Sequence, residues 1–366
     1  MHLYFKHQYK LFSVVSLIQS NNSKKYPLIK FILLLVVISL ISPGCKRGIN
    51  NTIKISGAAQ GTSYNITYLA GPNSNYRGAF DLIFKKIDTS LSSYIPVSII
   101  SRINQNDTTV LVDDFFTDVF NKSIEVSQKT NGLFDITVAP LVNAWGFGFK
   151  KKEKITDTLI DSLLKWVGYR KIKLEGKKLV KEDPHVMLDF NAIAQGYTVD
   201  VLASFLESKG VNNYLVEVGG ELRAKGKKEN DSAWTVGIEQ PNETPNEAAL
   251  KATFKIHDES LATSGNYKKF YIEDGKKYMH ILNPFTGYPA KNNLLSATVV
   301  AGNCMTADAY ATAFMVMGLE QTKQFLAEHK DLGLEVFLIY DENGTMETYS
   351  SKKIEENLER GTVINL

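Results

Sequence analysis

Apolar positions along this chain follow two rhythms, and each predicts a different kind of element. Residues 55–69 read as strand, turn and strand around Gly61, whereas residues 79–91 carry apolar side chains at the 3.6-residue spacing of an amphipathic helix. Residues 115–130 repeat the helical spacing, with Gly132 to close it. Residues 193–208 predict a further helix, placing Ile193, Tyr197, Val201 and Phe205 beside Leu202 and Leu206 on one broad face, with Gly210 as the stop. Beyond it the apolar runs shorten to strand length at 214–218, 234–239, 252–257, 278–282 and 295–300, separated by Gly, Asn, Asp or Pro. Helices at 306–317 and 319–329 follow, and 335–340 with 346–349 flank Asp341-Glu342-Asn343-Gly344 as a hairpin. Strands in runs, instead of strict alternation with helices, argue for an α+β body. No repeat appears, and no GxGxxG follows a strand, so a Rossmann-type nucleotide site has no support.

Composition narrows the class. At 366 residues, 44% apolar and 22% charged, the chain can bury a substantial core in one large domain or two intimate ones and is not a disordered chain. Its start departs from the rest. The first 44 residues hold five lysines and no Asp or Glu, and they include the eleven-residue apolar run 31–41. A spanning helix needs about 20 residues, so the run reads as the core of a secretory signal, followed by Ile41-Ser42-Pro43-Gly44-Cys45 as a lipobox. The competing reading is an uncleaved signal anchor with an incidental cysteine. The expected organisation is a signal peptide at 1–44, a polar tether at 45–53 after a lipidated Cys45, and one domain over 54–366, exported and anchored to a membrane on its periplasmic face. Loss of the leader removes five positive charges and takes the formal net charge from +3 to −2. No basic patch with interleaved aromatics is left to favour nucleic acid. Cys304 then stands alone, without a disulfide partner in the mature chain.

Several segments put small, acidic and hydroxyl residues where a plain core would use bulky ones. Around Asp308, Thr306 is expected as an N-cap, with Ala311 and Thr312 three and four residues after Asp308 on the same helix face. Carboxylate, hydroxyl and a helical carbonyl on one face make a set of hard oxygen donors suited to Mg2+. The plainer alternative is an acid that favours the helix dipole. Asp189 ends an apolar strand and either contacts a ligand or caps the next helix. Gly219-Gly220 either lets backbone amides approach a flat ligand or makes a turn. His280 is one of four histidines after residue 44, and the others are isolated. A histidine metal site is therefore not expected, and His280 is either a structural residue or a proton-abstracting base.

Read in order, QGTSY at 60–64, LSSY at 91–94, GLFDITVAPLVNAWGFG at 132–148, LDFNAIAQGYTVD at 188–200, VGGELRAKG at 218–226, SGNY at 264–267, HILNPFTG at 280–287 and TADAYATAFMVMG at 306–318 resemble the ApbE family. The resemblance implies a T-fold-like α+β body with a mixed, mainly antiparallel sheet and packed helices. It also implies a Mg2+-dependent FAD:protein FMN transferase, which leaves FMN joined by a phosphoester to a Thr or Ser of a target protein and releases AMP. Carried across position by position, the metal ligands fall on Ala192 and Ala311 through main-chain oxygens and on Asp308 and Thr312. Flavin contacts fall on Gln60, Tyr94, Leu133, Phe134, Asp135, Asp189, Gln195 and Ile281, with Tyr94 and Phe134 as stacking partners. His280 is the proposed base for the acceptor hydroxyl. Departures from the family pattern are Gln60 for Met, Asn191-Ala192 for Gly-Gly, Gln195 for Lys, and residues 95–99 without acidic character. Three rival readings are an FAD pyrophosphatase with water as acceptor, a non-catalytic flavin-binding lipoprotein, and a solute-binding lipoprotein, whose two alternating lobes the strand-rich second half does not provide. Self-modification is not expected, because Ser56-Gly57-Ala58-Ala59 lacks the terminal hydroxyl of the acceptor sequence Ser-Gly-Ala-Thr.

Overall fold

β-Branched and aromatic residues flank a turn that needs left-handed backbone, and they form the first hairpin. Strands β1 (Asn51–Ala59) and β2 (Thr62–Ala70) pair antiparallel around Gln60 (φ 53°) and Gly61 (φ 75°). The computed structural model describes residues 51–241, 250–266, 270–273 and 276–359. The expected signal peptide, Cys45 and residues 45–50 of the tether lie outside the described residues. Residues 51–53, expected in the tether, belong instead to β1, where Thr52 and Ile53 pair with Leu69 and Tyr68.

Five helices follow: α1 (Arg77–Leu91), α2 (Ile99–Asn104), α3 (Asp114–Lys129), α4 (Ala139–Ala144) and α5 (Asp157–Leu164). The hairpin β3 (Ile172–Glu175) and β4 (Lys178–Lys181) leads to α6 (Ala194–Ser208). Then come β5 (Tyr214–Val218), β6 (Glu221–Lys225), β7 (Trp234–Glu239), β8 (Leu250–Ile256), β9 (Ser260–Gly265), β10 (Phe270–Glu273), β11 (Lys276–Met279) and β12 (Leu294–Ala301). The chain continues through α7 (Cys304–Met317), α8 (Leu319–Glu328), β13 (Glu335–Glu342), β14 (Thr345–Ser350), α9 (Lys352–Asn357) and β15 (Leu358–Glu359). The main sheet runs β1-β2-β5-β6-β9-β12-β13-β14, and each neighbouring pair is antiparallel. A smaller sheet orders β15-β8-β7. The architecture is α+β with a mainly antiparallel sheet, and the isolated bridge Val138–Met187 is parallel.

Side-chain parity explains the layers. On β5, Tyr214, Val216 and Val218 point to the helices α1 and α6 and are buried, while Leu215 and Glu217 are half-buried on the other face. Farther along, both faces are covered. On β13, Val336 and Leu338 join the helix-side core with Phe116 and Phe314, and Phe337 and Ile339 join Trp234, Phe254 and Ile256 of the smaller sheet. A strand buried on both faces loses the alternation of apolar and polar residues, which is why residues 336–340 of β13 read as a continuous apolar run. Among the described residues no helix is long and apolar enough to cross a membrane.

Candidate active site

Helix α7 is apolar on nearly every side and buried along most of its length, as expected of a helix enclosed by a core. Its N-cap is Asn303, whose side chain accepts the Thr306 N–H at 2.9 Å. Thr306 is therefore not the cap, and the helix starts at Cys304, which moves Asp308 into the second turn. Asn303 wins because its short amide side chain reaches that amide from an extended backbone (φ −142°, ψ 155°). An N-terminal acid stabilises the dipole within the first turn, so the dipole explanation of Asp308 loses its basis.

Asp308 is 6% exposed, a position where a carboxylate needs a strong reason to persist. Its Oδ2 accepts the Gly196 N–H at 3.0 Å. That bond requires glycine, because a Cβ at 196 would lie 2.5 Å from the Cys304 carbonyl oxygen and 2.8 Å from the Asp308 Cβ. Burial pushes the Asp308 carboxyl up to about 7, against the opposing Gly196 bond. One turn farther along α7, Thr312 Oγ1 lies 3.1 Å from Ser264 Oγ on β9.

These groups open on a cavity of about 450 Å³. The structure brings Gln60, Tyr94, Leu133, Phe134, Asp135, Asp189, Ala192, Gln195, His280, Ile281, Asp308 and Thr312 together on its walls. Ala311 is wholly buried beside Thr312 and does not line the cavity. Sequence reasoning gave no role to Phe147, Glu221 or Ser264, which also line it. For Glu221 the available signal was an acid directly after an apolar strand and a Gly-Gly pair; the structure leaves it 7% exposed.

Loops build the remaining walls. Asp135 takes the amide and hydroxyl of Thr137 on Oδ1 at 2.7 and 2.6 Å and the Tyr169 amide on Oδ2 at 2.7 Å. Its carboxylate ties the 132–148 segment to residues 168–169, and burial raises its pKa over the lowering effect of these bonds. Asp189 does not cap α6, whose N-cap is Ile193 without a side-chain bond. Asp189 Oδ1 instead accepts the Asn191 N–H at 2.7 Å in a local turn. Tyr94 is 55% exposed at the cavity mouth, and burial, then the Asp189 charge, pushes its phenol up against a bond from Asn191. Gln60 donates to Asp88 at 3.2 Å, and its buried Oε1 has no hydrogen-bond partner. A buried acceptor of that kind suits a ligand donor.

Of the two readings of Gly219-Gly220, the structure shows the turn: the Gly219 N–H donates to the Ser63 carbonyl at 3.0 Å and the Gly220 N–H to the Glu217 carboxylate at 2.8 Å. The pair is the turn between β5 and β6, with φ of 69° and 110°, and Gly219 also lines the cavity. Any Cβ there would sit 3.0 Å from Gln195 Nε2 and 3.2 Å from Glu221 Oε2. The strand predicted at 278–282 ends at Met279, because the chain bends at His280 and residues 281–283 pair with 288–290 instead. His280 thus lies in a bend on the cavity wall, its ring 6.2 Å from that of Phe147.

Among the described residues no three or more His, Cys, Asp or Glu side chains converge closely enough to hold a metal ion by themselves. The oxygens at hand are one carboxylate, the Thr312 and Ser264 hydroxyls and main-chain carbonyls, which fit a hard cation such as Mg2+ better than zinc. Four carboxylates line the cavity, Asp135, Asp189, Glu221 and Asp308, and the described lining residues include no Lys or Arg.

Comparison with known proteins gives one consistent result. The model of the ApbE family matches residues 60–338. A FAD:protein FMN transferase of Haemophilus influenzae is 34% identical over 340 residues, covering 88% of this chain and 97% of the relative. Its namesake in Vibrio cholerae serotype O1 is 34% identical over 290 residues, covering 77% and 86%. Among solved structures, the flavin transferase ApbE from Vibrio cholerae has a TM-score of 0.75 at 31% identity, covering 84% of this chain and 99% of that one. The apo flavinyl transferase ApbE of Pseudomonas stutzeri has a TM-score of 0.75 at 29% identity, covering 86% and 98%. The chain belongs to the ApbE family.

Proposed function

We propose that this protein is a Mg2+-dependent FAD:protein FMN transferase, which joins FMN through a phosphoester to a Ser or Thr of another protein and releases AMP. The relatives' names support the activity. The observation that carries the finer reading is the charge of the cavity: four carboxylate side chains and no lysine or arginine among its described lining residues. A pyrophosphate entering such a cavity is repelled unless a cation comes with it. Asp308 and Thr312, with main-chain oxygens of Ala192 and Ala311, would hold Mg2+, which supplies charge neutralisation to the pyrophosphate. Phosphoryl transfer otherwise needs positioning more than covalent help from the protein.

Leu133, Phe134, Ile281 and the half-exposed Tyr94 offer apolar and aromatic surface for the ring, and Gln60 and Asp189 offer polar edges. The acceptor oxygen attacks the FMN phosphorus, the pyrophosphate bond breaks, and AMP leaves with the electron pair. His280 takes the hydroxyl proton. The anchor belongs to the same proposal: cleavage before Cys45 and its lipidation would hold the enzyme on the membrane, facing the periplasm, within reach of exported targets. Its support is the sequence pattern of residues 1–45 alone.

The test mixes the protein with FAD, Mg2+ and a candidate target bearing a Ser-Gly-Ala-Thr segment and weighs the target by mass spectrometry. Added FMN on the hydroxyl residue together with free AMP is the expected result. FMN released only into solution makes the protein a pyrophosphatase, and bound, uncleaved FAD makes it a carrier.

A further inference from the structure

Helix α7 is held at its start by an element other than its own. The amides of Cys304 and Met305, two of the donors that a helix N-terminus leaves without intrahelical partners, go to Asp200 on α6. Cys304 N–H reaches Oδ1 at 3.0 Å and Met305 N–H reaches Oδ2 at 2.8 Å. About one helical turn earlier on α6, Gly196 makes its 3.0 Å bond to Asp308. One face of α6 therefore grips α7 twice, at its first residues and at the candidate cation ligand. Arg223 on β6 backs Asp200 with Nη1 at 3.1 Å, while its Nη2 lies 3.3 Å from Glu207, which makes no bond to α7 and stands outside the brace. Asp200 does not line the cavity.

We infer that Asp200 is a positioning residue for the cation: by fixing the depth and rotation of α7 against α6, it sets where Asp308 and Thr312 present their oxygens relative to Ala192. The inference rests on the cation assignment made under Proposed function. Mg2+ demands near-ideal octahedral geometry, whereas Ca2+ accepts flexible arrangements. Loosening the brace therefore weakens Mg2+ binding more than Ca2+ binding, a discrimination that a loss of stability alone does not produce.

The experiment titrates MgCl2 and, separately, CaCl2 calorimetrically into the full chain, as wild type, Asp200→Asn, Asp200→Glu and Glu207→Gln. Asp200→Asn is expected to raise the Kd for Mg2+ about tenfold, the usual scale for a partner behind a metal ligand, with a smaller change for Ca2+. Asp200→Glu, which keeps the charge and adds one methylene, falls between the two and serves if the Asn variant folds poorly. Glu207→Gln weakens the other arm of Arg223 without touching α7, so it lowers Tm and leaves both Kd values unchanged. Unchanged Mg2+ affinity in both Asp200 variants, or an equal shift in Glu207→Gln, overturns the inference alone. Wild-type protein that binds neither cation overturns it together with the metal assignment beneath it.

Discussion

The cavity has two walls built on different principles. The inner wall comes from α6, α7, β9 and the β5–β6 turn, where regular elements meet closely: the Gly196 amide bonds Asp308, the Ser264 and Thr312 hydroxyls bond each other, and Gly219 leaves room for Gln195 and Glu221. The outer wall comes from loops that carry Tyr94, Phe134, Phe147, His280 and Ile281, joined mainly by aromatic contacts and local turns. The proposed cation-binding side chains sit on the wall of regular elements, and the aromatic breadth of contact sits on the loops, which also carry Asp135 and Asp189, each tied by hydrogen bonds. A buried charge tolerates little displacement, whereas a flat ring tolerates some, so the assignment of tasks to walls follows from the physics.

Substitutions on the two walls should therefore fail differently. Asp308→Ala should have the largest effect, about a thousandfold loss of flavin transfer, on the scale of losing a preorganised electrostatic group. Its stability should move the other way. Burial raises the carboxyl from 3.8 to about 7, so without a cation the wild type loses stability as pH rises through that window. Asp308→Asn should remove that loss in thermal melts from pH 4 to 8. Next comes His280→Gln on the outer wall, with about a hundredfold loss in rate and FAD affinity retained; full activity would remove His280 from the mechanism. Gly196→Ala should cost about 1–3 kcal/mol of stability by forcing α6 and α7 apart and should weaken Mg2+ binding, read by chemical denaturation and titration. The smallest effect belongs to Tyr94→Leu, a rise of a few-fold in KM for FAD with no change in Tm. A large Tm loss there would make the outer wall as stiff as the inner one.

Legibility in the sequence divides along the same line. Elements with a strong period, such as α1, α3, α6 and the β13–β14 hairpin with its Asn343-Gly344 turn, could be read to within a few residues of their ends. Strand β9, with the sequence Ser-Leu-Ala-Thr-Ser-Gly, could not. It is buried on both faces, so it shows no alternation, and it uses small residues because α7 packs closely against it. Strand β6 hides behind Arg223, whose charge serves the brace to Asp200 and whose apolar neighbours are only Leu222 and Ala224. Helices α2, α4 and α5, of six to eight residues, are too short to establish a period. Of the candidate site, the residue types alone pointed to Asp308 and Thr312, and the resemblance to the ApbE family supplied Gln60, Tyr94, Leu133, Phe134, Gln195 and Ile281, which the structure places on one cavity. Asp308 in an otherwise apolar helix is an anomaly, while Ser264 carries no signal until its neighbour Thr312 on the helix packed against β9 is known.

Cys304 is the first residue of α7, wholly buried, with its thiol 3.6 Å from the Leu261 carbonyl. Burial raises its pKa well above that of a free thiol, which keeps it inert toward oxidants. Because the thiol sits between the helix that carries Asp308 and the sheet beneath, an alkylating reagent can reach it only when those layers part. Its labelling half-life, with Cys45 blocked, becomes a clock for the opening of α7, and a substrate that stops the clock does so by holding the layers shut.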